Sequence, residues 1–287
     1  MTGFVIISSP FESKKSELFI GMKGVKILLL IALMMFVTSC HCRNNVRRML
    51  PRDTFLKIEK SLFIKICNPR IPTMCRSKNL GASGSGVIVA HGDEGSYALT
   101  AGHICEDNEL RRLTHGAAEH RLEFKVLDIE GRMYSVDIVA IDSQHDLCVV
   151  YAKDLWQPAI ALGVDKPTPG DRVYNIASPL GIFAKQMVPI FEGFYNGDSH
   201  DRSFYSLPAK GGSSGSPIIN HRGELIGMVS MAFIHFSHVA ISPQFKSIIS
   251  FVDAAVERDK TKRSMGSLLD KIKLIFHKKD KKLVKNP

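Results

Sequence analysis

From Phe55 to Ile241 the chain is a succession of apolar runs, three to six residues long, each cut short by turn-forming residues. Such runs are too short for helices that bury a face, and their β-branched and aromatic content suits strands. Ser61–Ile66, Gly86–Ala90, Tyr97–Thr100, Leu122–Leu127, Ser135–Ala140 and Leu147–Tyr151 form a first series. Arg172–Ile176, Pro217–Ile219, Leu225–Val229 and His238–Ile241 form a second. Many short strands with no long helix between them predict an all-β sandwich or a pair of barrels. Pro167 to Gly170 makes a seam, giving halves at about 55–160 and 165–243.

Beyond the strands, Phe245, Ile248, Ile249, Val252 and Val256 recur near helical spacing, so a helix is expected from Gln244 to about Arg258. A charged break should follow, and then a second helical pattern. There Leu268, Leu269, Ile272, Ile275 and Phe276 share a face while Lys271, Lys273, Lys278 and Lys279 lie off it. A basic amphipathic helix over 267–279 suits an anionic membrane surface, or else docks its apolar stripe on the domain. Residues 259–287 are thus read as a basic amphipathic tail.

The 287 residues are 45% hydrophobic, ordinary for a packed core, with a formal net charge of +10. From Arg258 to Pro287 there are eleven Lys or Arg against three Asp, so most of that basicity belongs to the tail. A nucleic-acid enzyme carries its basic patch on the folded domain, so no nucleic-acid partner is expected. At the other end, Lys23 and Lys26 precede an apolar run from Ile27 to Val37. At about 1.5 Å per residue that run falls short of a bilayer core of ~30 Å, but it suits an export signal. Val37-Thr38-Ser39-Cys40 is similar to a bacterial lipobox, with Cys40 as the lipidated residue. The alternative is an ordinary cleaved signal or a short anchor. Residues 1–40 are read as this signal, with Met22 as a second possible start, and 41–54 as a basic tether. The expected location is the bacterial cell envelope, anchored to a membrane on the periplasmic or extracellular side.

Three segments carry chemistry. Gly212-Ser213-Ser214-Gly215-Ser216-Pro217 places a serine among small residues, which permit a tight turn with an exposed hydroxyl and free backbone N–H groups. Taken alone, this is only a turn. Leu99-Thr100-Ala101-Gly102-His103 puts a histidine at the end of an apolar strand, where small neighbours let another element approach. His145-Asp146 opens the apolar strand Leu147–Tyr151, so Asp146 needs a partner to offset its desolvation. Asp142 is its nearest rival, read as an exposed turn residue. The order His103, Asp146, Ser214 is that of one serine-protease class, while other classes use other orders.

On these segments the chain from about Phe55 to Ile249 resembles trypsin-like peptidases, especially the bacterial HtrA/Deg branch. Gly84–Val89 looks like that family's first core strand, and Gly170–Tyr174 with Ser178-Pro179-Leu180-Gly181 like the opening of its second barrel. Gly223–Gly227 and Val239–Ser242 are similar to its closing strands. The resemblance implies two six-stranded β-barrels of the chymotrypsin type within 55–258, and a serine endopeptidase needing no metal or cofactor. His103 would be the general base, Asp146 its orienting carboxylate and Ser214 the nucleophile, with the Gly212 and Ser214 N–H groups meeting the oxyanion. It also implies a specificity pocket with Pro208 and Lys210 near its base and Val229-Ser230-Met231-Ala232 as its wall. With no acid there and Ala232 narrowing it, a small or medium apolar side chain is expected before the cut bond.

The chain departs from that pattern in two places. The usual Gly-Asn-Ser-Gly-Gly-Pro appears as Gly-Ser-Ser-Gly-Ser-Pro, and with only a short basic tail after the strands, the PDZ domain that follows HtrA proteases is not expected. Gly81-Ala82-Ser83-Gly84 imitates the nucleophile pattern but precedes His103 and leads into a strand.

Of six cysteines, Cys67 and Cys75 can close a small loop across Pro69 and Pro72. Cys105 and Cys148 each follow a triad residue by two positions. Spacing leaves the pairing open, with free buried thiols as the alternative. No zinc-type spacing is present. The rival functions are a catalytically silent homologue acting as an envelope binding lipoprotein, an esterase, and a membrane-surface protein organised by its tail.

Overall fold

The computed structural model describes residues 50–68, 71–106, 119–233 and 236–283. The signal, Cys40 and tether residues 41–49 lie outside the described residues, as do the side chains of the tail beyond Leu269. The last tether residues are docked rather than loose: Arg52–Thr54 form a 3-10 turn, Thr54 is buried, and an Arg52 guanidinium nitrogen donates to the Gln186 carbonyl at 2.6 Å.

The first half is a closed barrel of six antiparallel strands. They are β1 (Phe55–Asn68), β2 (Ile71–His91), β3 (Gly95–Ala101), β4 (Glu119–Leu127), β5 (Met133–Asp142) and β6 (Leu147–Lys153). Their order is β1-β2-β3-β6-β5-β4, and pairing of β4 back onto β1 closes the ring. Along β1, Leu56, Ile58, Leu62 and Ile64 turn inward at period two. β1 and β2 run on past their expected ends into a long hairpin, bridged near its tip by the Cys67–Cys75 disulfide. Gly81–Gly84, which imitates the Gly212–Gly215 pattern, is simply part of β2.

β3 and the first six residues of β6 are buried throughout, which accounts for their unbroken apolar runs. Ala98, Cys148, Val150 and Ala152 fill the barrel, while Tyr97, Leu99, Leu147 and Val149 pack with residues of the second half and the C-terminal helix. Each such buried Leu or Val contributes about 1.5–3 kcal/mol.

The second half differs from expectation. It is a seven-stranded sheet rather than a closed six-stranded barrel. Its strands are β7 (Arg172–Ile176), β8 (Ile190–Ser199), β9 (Arg202–Tyr205), β10 (Pro217–Ile219), β11 (Leu225–Met228), β12 (Met231–Ala232) and β13 (Ala240–Pro243), in the order β11-β10-β7-β8-β9-β13-β12. β11 and β12 are its two edges, yet only Val229 and Ser230 separate them in sequence. Three Cα–Cα steps of about 3.8 Å lie between Met228 and Met231, at most about 11 Å, so the sheet must curl until its two edge strands come close. Side-chain bonds tie β11 to interior strands across the curl: Met228 N–H donates to the Ser242 hydroxyl of β13 at 3.0 Å, and the Tyr205 hydroxyl of β9 donates to the Ile226 carbonyl at 3.2 Å.

The linker between the halves is pinned to both. Ile160 N–H donates to Ile88 O, while Leu225 N–H donates to Ala161 O and Gly163 N–H to Leu225 O. Within the final helix, Ile248, Val252, Ala255 and Val256 are buried at helical spacing. The charged break expected after Arg258 does not interrupt it: one helix covers Phe245–Leu283.

Candidate active site

β3 ends at Ala101, opposite Leu147 of β6, so the strand register brings the histidine and aspartate segments together. Gly102–Cys105 form a single helical turn, α1; the long C-terminal helix is α2. Gly102 permits the approach, since a Cβ there would lie 3.0 Å from the Asp146 carbonyl carbon and the Leu147 nitrogen. His103 N–H donates to Asp146 Oδ1 at 2.8 Å, and the His103 Nδ1 lies 3.0 and 3.1 Å from the two carboxylate oxygens. An ionised carboxylate only accepts, so the ring proton belongs on Nδ1 and Nε2 is left as a base. The ring is nearly half exposed. The Ser230 hydroxyl also donates to Asp146 Oδ2. Burial works to raise the Asp146 carboxyl, but the hydrogen bonds from His103 and Ser230 and the charge of His103 outweigh it and hold the group below its ordinary value.

Asp146 sits at φ +59°, a left-handed conformation that Asp and Asn tolerate better than most residues. The turn before it is held from two sides. Asp142 accepts from the Gln144 and His145 N–H groups and pairs with His145 Nδ1 at 2.7 Å, so it caps the turn. Burial opposes ionisation of Asp142, yet those bonds hold its carboxyl low as well. From the second half, the Arg202 guanidinium donates to the carbonyls of Gln144, at 3.2 Å, and His145, at 3.4 Å. Sequence reading missed Arg202; its only local signal is its place beside a hairpin tip.

The Gly212–Pro217 loop is built on buried serines. Ser85 Oγ donates to Gly212 O at 2.8 Å and accepts from Ser178 N–H at 3.0 Å, while Ser178 Oγ donates to Gly84 O. Ser85 N–H donates to Ser214 O at 2.8 Å. Gly212 (φ +94°) lies where a Cβ would meet Ser178 O at 2.5 Å, and a Cβ on Gly215 would collide with Ser85 O. Asn175 Nδ2 donates to Ser216 Oγ and Pro217 O, both at 2.8 Å. Sequence singled out Gly212 and Gly215 as turn-permitting but not the supporting Ser85, Ser178 and Asn175, although Gly84-Ser85-Gly86 and Ser178 lie in segments that carry the resemblance.

Leu180 N–H donates to Gly211 O at 2.6 Å. Because a trans peptide points its C=O and N–H in opposite directions, this bond turns the Gly212 N–H away from Leu180. Among the described residues, neither the Gly212 nor the Ser214 N–H donates to a protein acceptor. The partly exposed Ser214 hydroxyl likewise has no hydrogen-bond partner among them, including the His103 ring.

A cavity of about 230 Å³ opens beside Ser214, with Lys210, Ser230 and Ala232 in its lining. Ala209 lines it in place of Pro208, and Met231 and Phe233 add apolar surface. It is smaller than the roughly 300–1,000 Å³ of small-molecule pockets and suits one side chain. Among the described residues, no group of three or more His, Cys, Asp or Glu is placed to hold a metal ion.

Comparison with known proteins agrees with this arrangement. A putative Do-like protease from Arabidopsis thaliana is 24% identical over 220 residues, covering 71% of this chain and 48% of the relative. The chain thus spans about half the length of that curated relative. A serine endoprotease of Yersinia pestis superposes with a TM-score of 0.53 at 19% identity, covering 75% of this chain and 66% of that one. The HtrA-type protease AlgW, solved as a serine-to-alanine form with a decapeptide, gives 0.56 at 20% identity with the same coverage. These likenesses concern the fold. The trypsin-like peptidase domain matches residues 84–228, just over half the chain, from β2 through His103, Asp146 and Ser214 to the end of β11. This chain therefore belongs to the trypsin-like peptidase family, and its fold is similar to that of an HtrA-type protease.

Proposed function

We propose that the protein is a serine endopeptidase in which His103, Asp146 and Ser214 form the catalytic triad. The observation that carries this reading is the His103–Asp146 pair beside a serine turn whose Gly212 and Ser214 N–H groups have no protein acceptor. His103 Nε2 removes the proton from Ser214 as Oγ attacks a peptide carbonyl, and Asp146 holds the imidazole tautomer and favours its charged form. The two N–H groups receive the developing oxyanion, each interaction of this kind being worth about 3 kcal/mol. The resulting acyl-enzyme is hydrolysed by water, again with His103 as base. Absence of a His103–Ser214 hydrogen bond is compatible with this role, since such bonds often tighten only with substrate bound. The cavity beside Ser214, with no acid in its lining, favours a small or medium apolar side chain before the cut bond.

The test is labelling of the full chain by a fluorophosphonate, beside Ser214→Ala and His103→Ala. Labelling lost in both variants is the expected result. A folded wild-type protein that stays unlabelled would favour a silent binding homologue instead. Peptide-library cleavage then reads the side-chain preference.

We also propose export and attachment to the cell envelope through a lipid on Cys40. In support, four of the six cysteines are paired as Cys67–Cys75 and Cys105–Cys148, and such bonds persist in oxidising compartments. Lipid incorporation that survives in Cys40→Ser would overturn it.

A further inference from the structure

The Cys105–Cys148 disulfide joins the two segments that carry His103 and Asp146, two residues beyond each. Cys105 is the last residue of α1, and Cys148 is the second residue of β6. Both are buried, at 2% and 0% exposure, among the residues that fill the first barrel. α1 has only four residues, and one turn cannot hold its shape by its own hydrogen bonds. Its position is therefore set from outside. The Lys60 ammonium binds the Ile104 and Glu106 carbonyls at 3.0 and 2.8 Å, tying the end of α1 to β1. β1 is not the strand that carries the aspartate. Past the last ladder pair, Ala101 with Leu147, the disulfide is the one covalent tie from α1 to the Asp146 strand among the described residues. It closes a separation of 43 residues that contains β4 and β5.

We propose that this disulfide is a positioning element for the His103–Asp146 pair, so that activation of Ser214 depends on its oxidation. This rests on the triad reading above. Without the bond, α1 can rotate about Gly102, and the His103 ring leaves the narrow geometry in which Asp146 accepts from Nδ1 while Nε2 faces Ser214. Forming the bond converts two protein thiols into a disulfide and passes two electrons and two protons to a disulfide oxidant of the oxidised-glutathione class, which becomes two thiols. A chain still in a reducing compartment would then carry all three triad residues without an assembled triad, and would gain activity on oxidation.

The experiment measures fluorophosphonate labelling of the oxidised full chain, a Cys105→Ala/Cys148→Ala variant and a Cys67→Ala/Cys75→Ala control at the hairpin tip. The expected result is a fall of tenfold or more in the maximal labelling rate of the first variant, with unchanged half-saturating probe concentration and unchanged final extent. The control should label like wild type. A disulfide that acted only on stability would lower the final extent, through loss of folded protein, without slowing the folded fraction. In a second arm, wild type prepared reduced is treated with oxidised glutathione. A rise in labelling rate that the Cys105→Ala/Cys148→Ala variant lacks supports the proposal. Equal rates in oxidised wild type and that variant overturn it, whereas an oxidised wild type that never labels overturns the triad reading instead.

Discussion

Asp146 combines a left-handed backbone, a desolvated carboxylate and donors from His103 and Ser230. Asn also tolerates that backbone, so Asp146→Asn removes the charge with little strain. With the amide in place the tautomer preference is lost, and fluorophosphonate labelling should fall by about 10³-fold or more while the circular dichroism spectrum is kept. The pH dependence has a definite sign. The folded-state carboxyl titrates below its usual 3.8, so the ionised form favours the native state. That contribution is full above 3.8 and is lost as pH falls through the lower folded value. Urea melts should therefore separate wild type from Asp146→Asn near neutral pH and bring the two together in stronger acid. Divergence on acidification would contradict the pairing.

Among the elements, α2 is fastened where sequence suggested a break. Arg263 lies with its guanidinium carbon 3.9 Å from the centroid of the Tyr151 ring, pairs with Asp259 four residues earlier, and reaches Asp137 of β5 at 3.5 Å. Tyr97 of β3 donates to the same Asp259 at 3.1 Å. Arg263→Ala should lower stability by about 1–2 kcal/mol, read as a drop in urea midpoint at unchanged labelling rate. A charged stretch looks like a linker in one dimension, and only the fold shows that its Asp259 and Arg263 meet aromatic rings from two strands. The same reason hid Arg202, whose partners at Gln144 and His145 lie 58 and 57 residues away in sequence. By contrast the His103–Asp146 contact was legible, because both residues border apolar strands that the register sets side by side.

Across the whole molecule, Ser85 links the barrel to the curled sheet through Gly212, Ser178 and Ser214. Ser85→Ala leaves a buried carbonyl and a buried N–H without that partner, at a cost of about 1–3 kcal/mol. It should also slow labelling about tenfold, because the Gly212 peptide is no longer held from the barrel side. Unchanged labelling kinetics would show that the loop holds its shape alone. The first barrel could be read from sequence because its strands are long enough for alternation or unbroken apolar runs to show. The second could not, because strands such as Pro217–Ile219 and Met231–Ala232 are too short to carry a period. Its edge strand β11 is held to the interior strands β13 and β9 through the Ser242 and Tyr205 hydroxyls, which no apolar pattern records.

The two residues that carry the chain from β11 to β12 also wall the cavity beside Ser214, and one of them, Ser230, donates to Asp146. If His103, Asp146 and Ser214 act as proposed, cleavage preference, sheet closure and proton handling draw on one dipeptide. Changes at Val229 or Ser230 selected for a different substrate would be felt in folding and in turnover at once, which makes them poor first steps in adaptation. Lys210 lines the same cavity from a loop outside the sheet, and it offers the lineage a route to new substrates that leaves the closure alone.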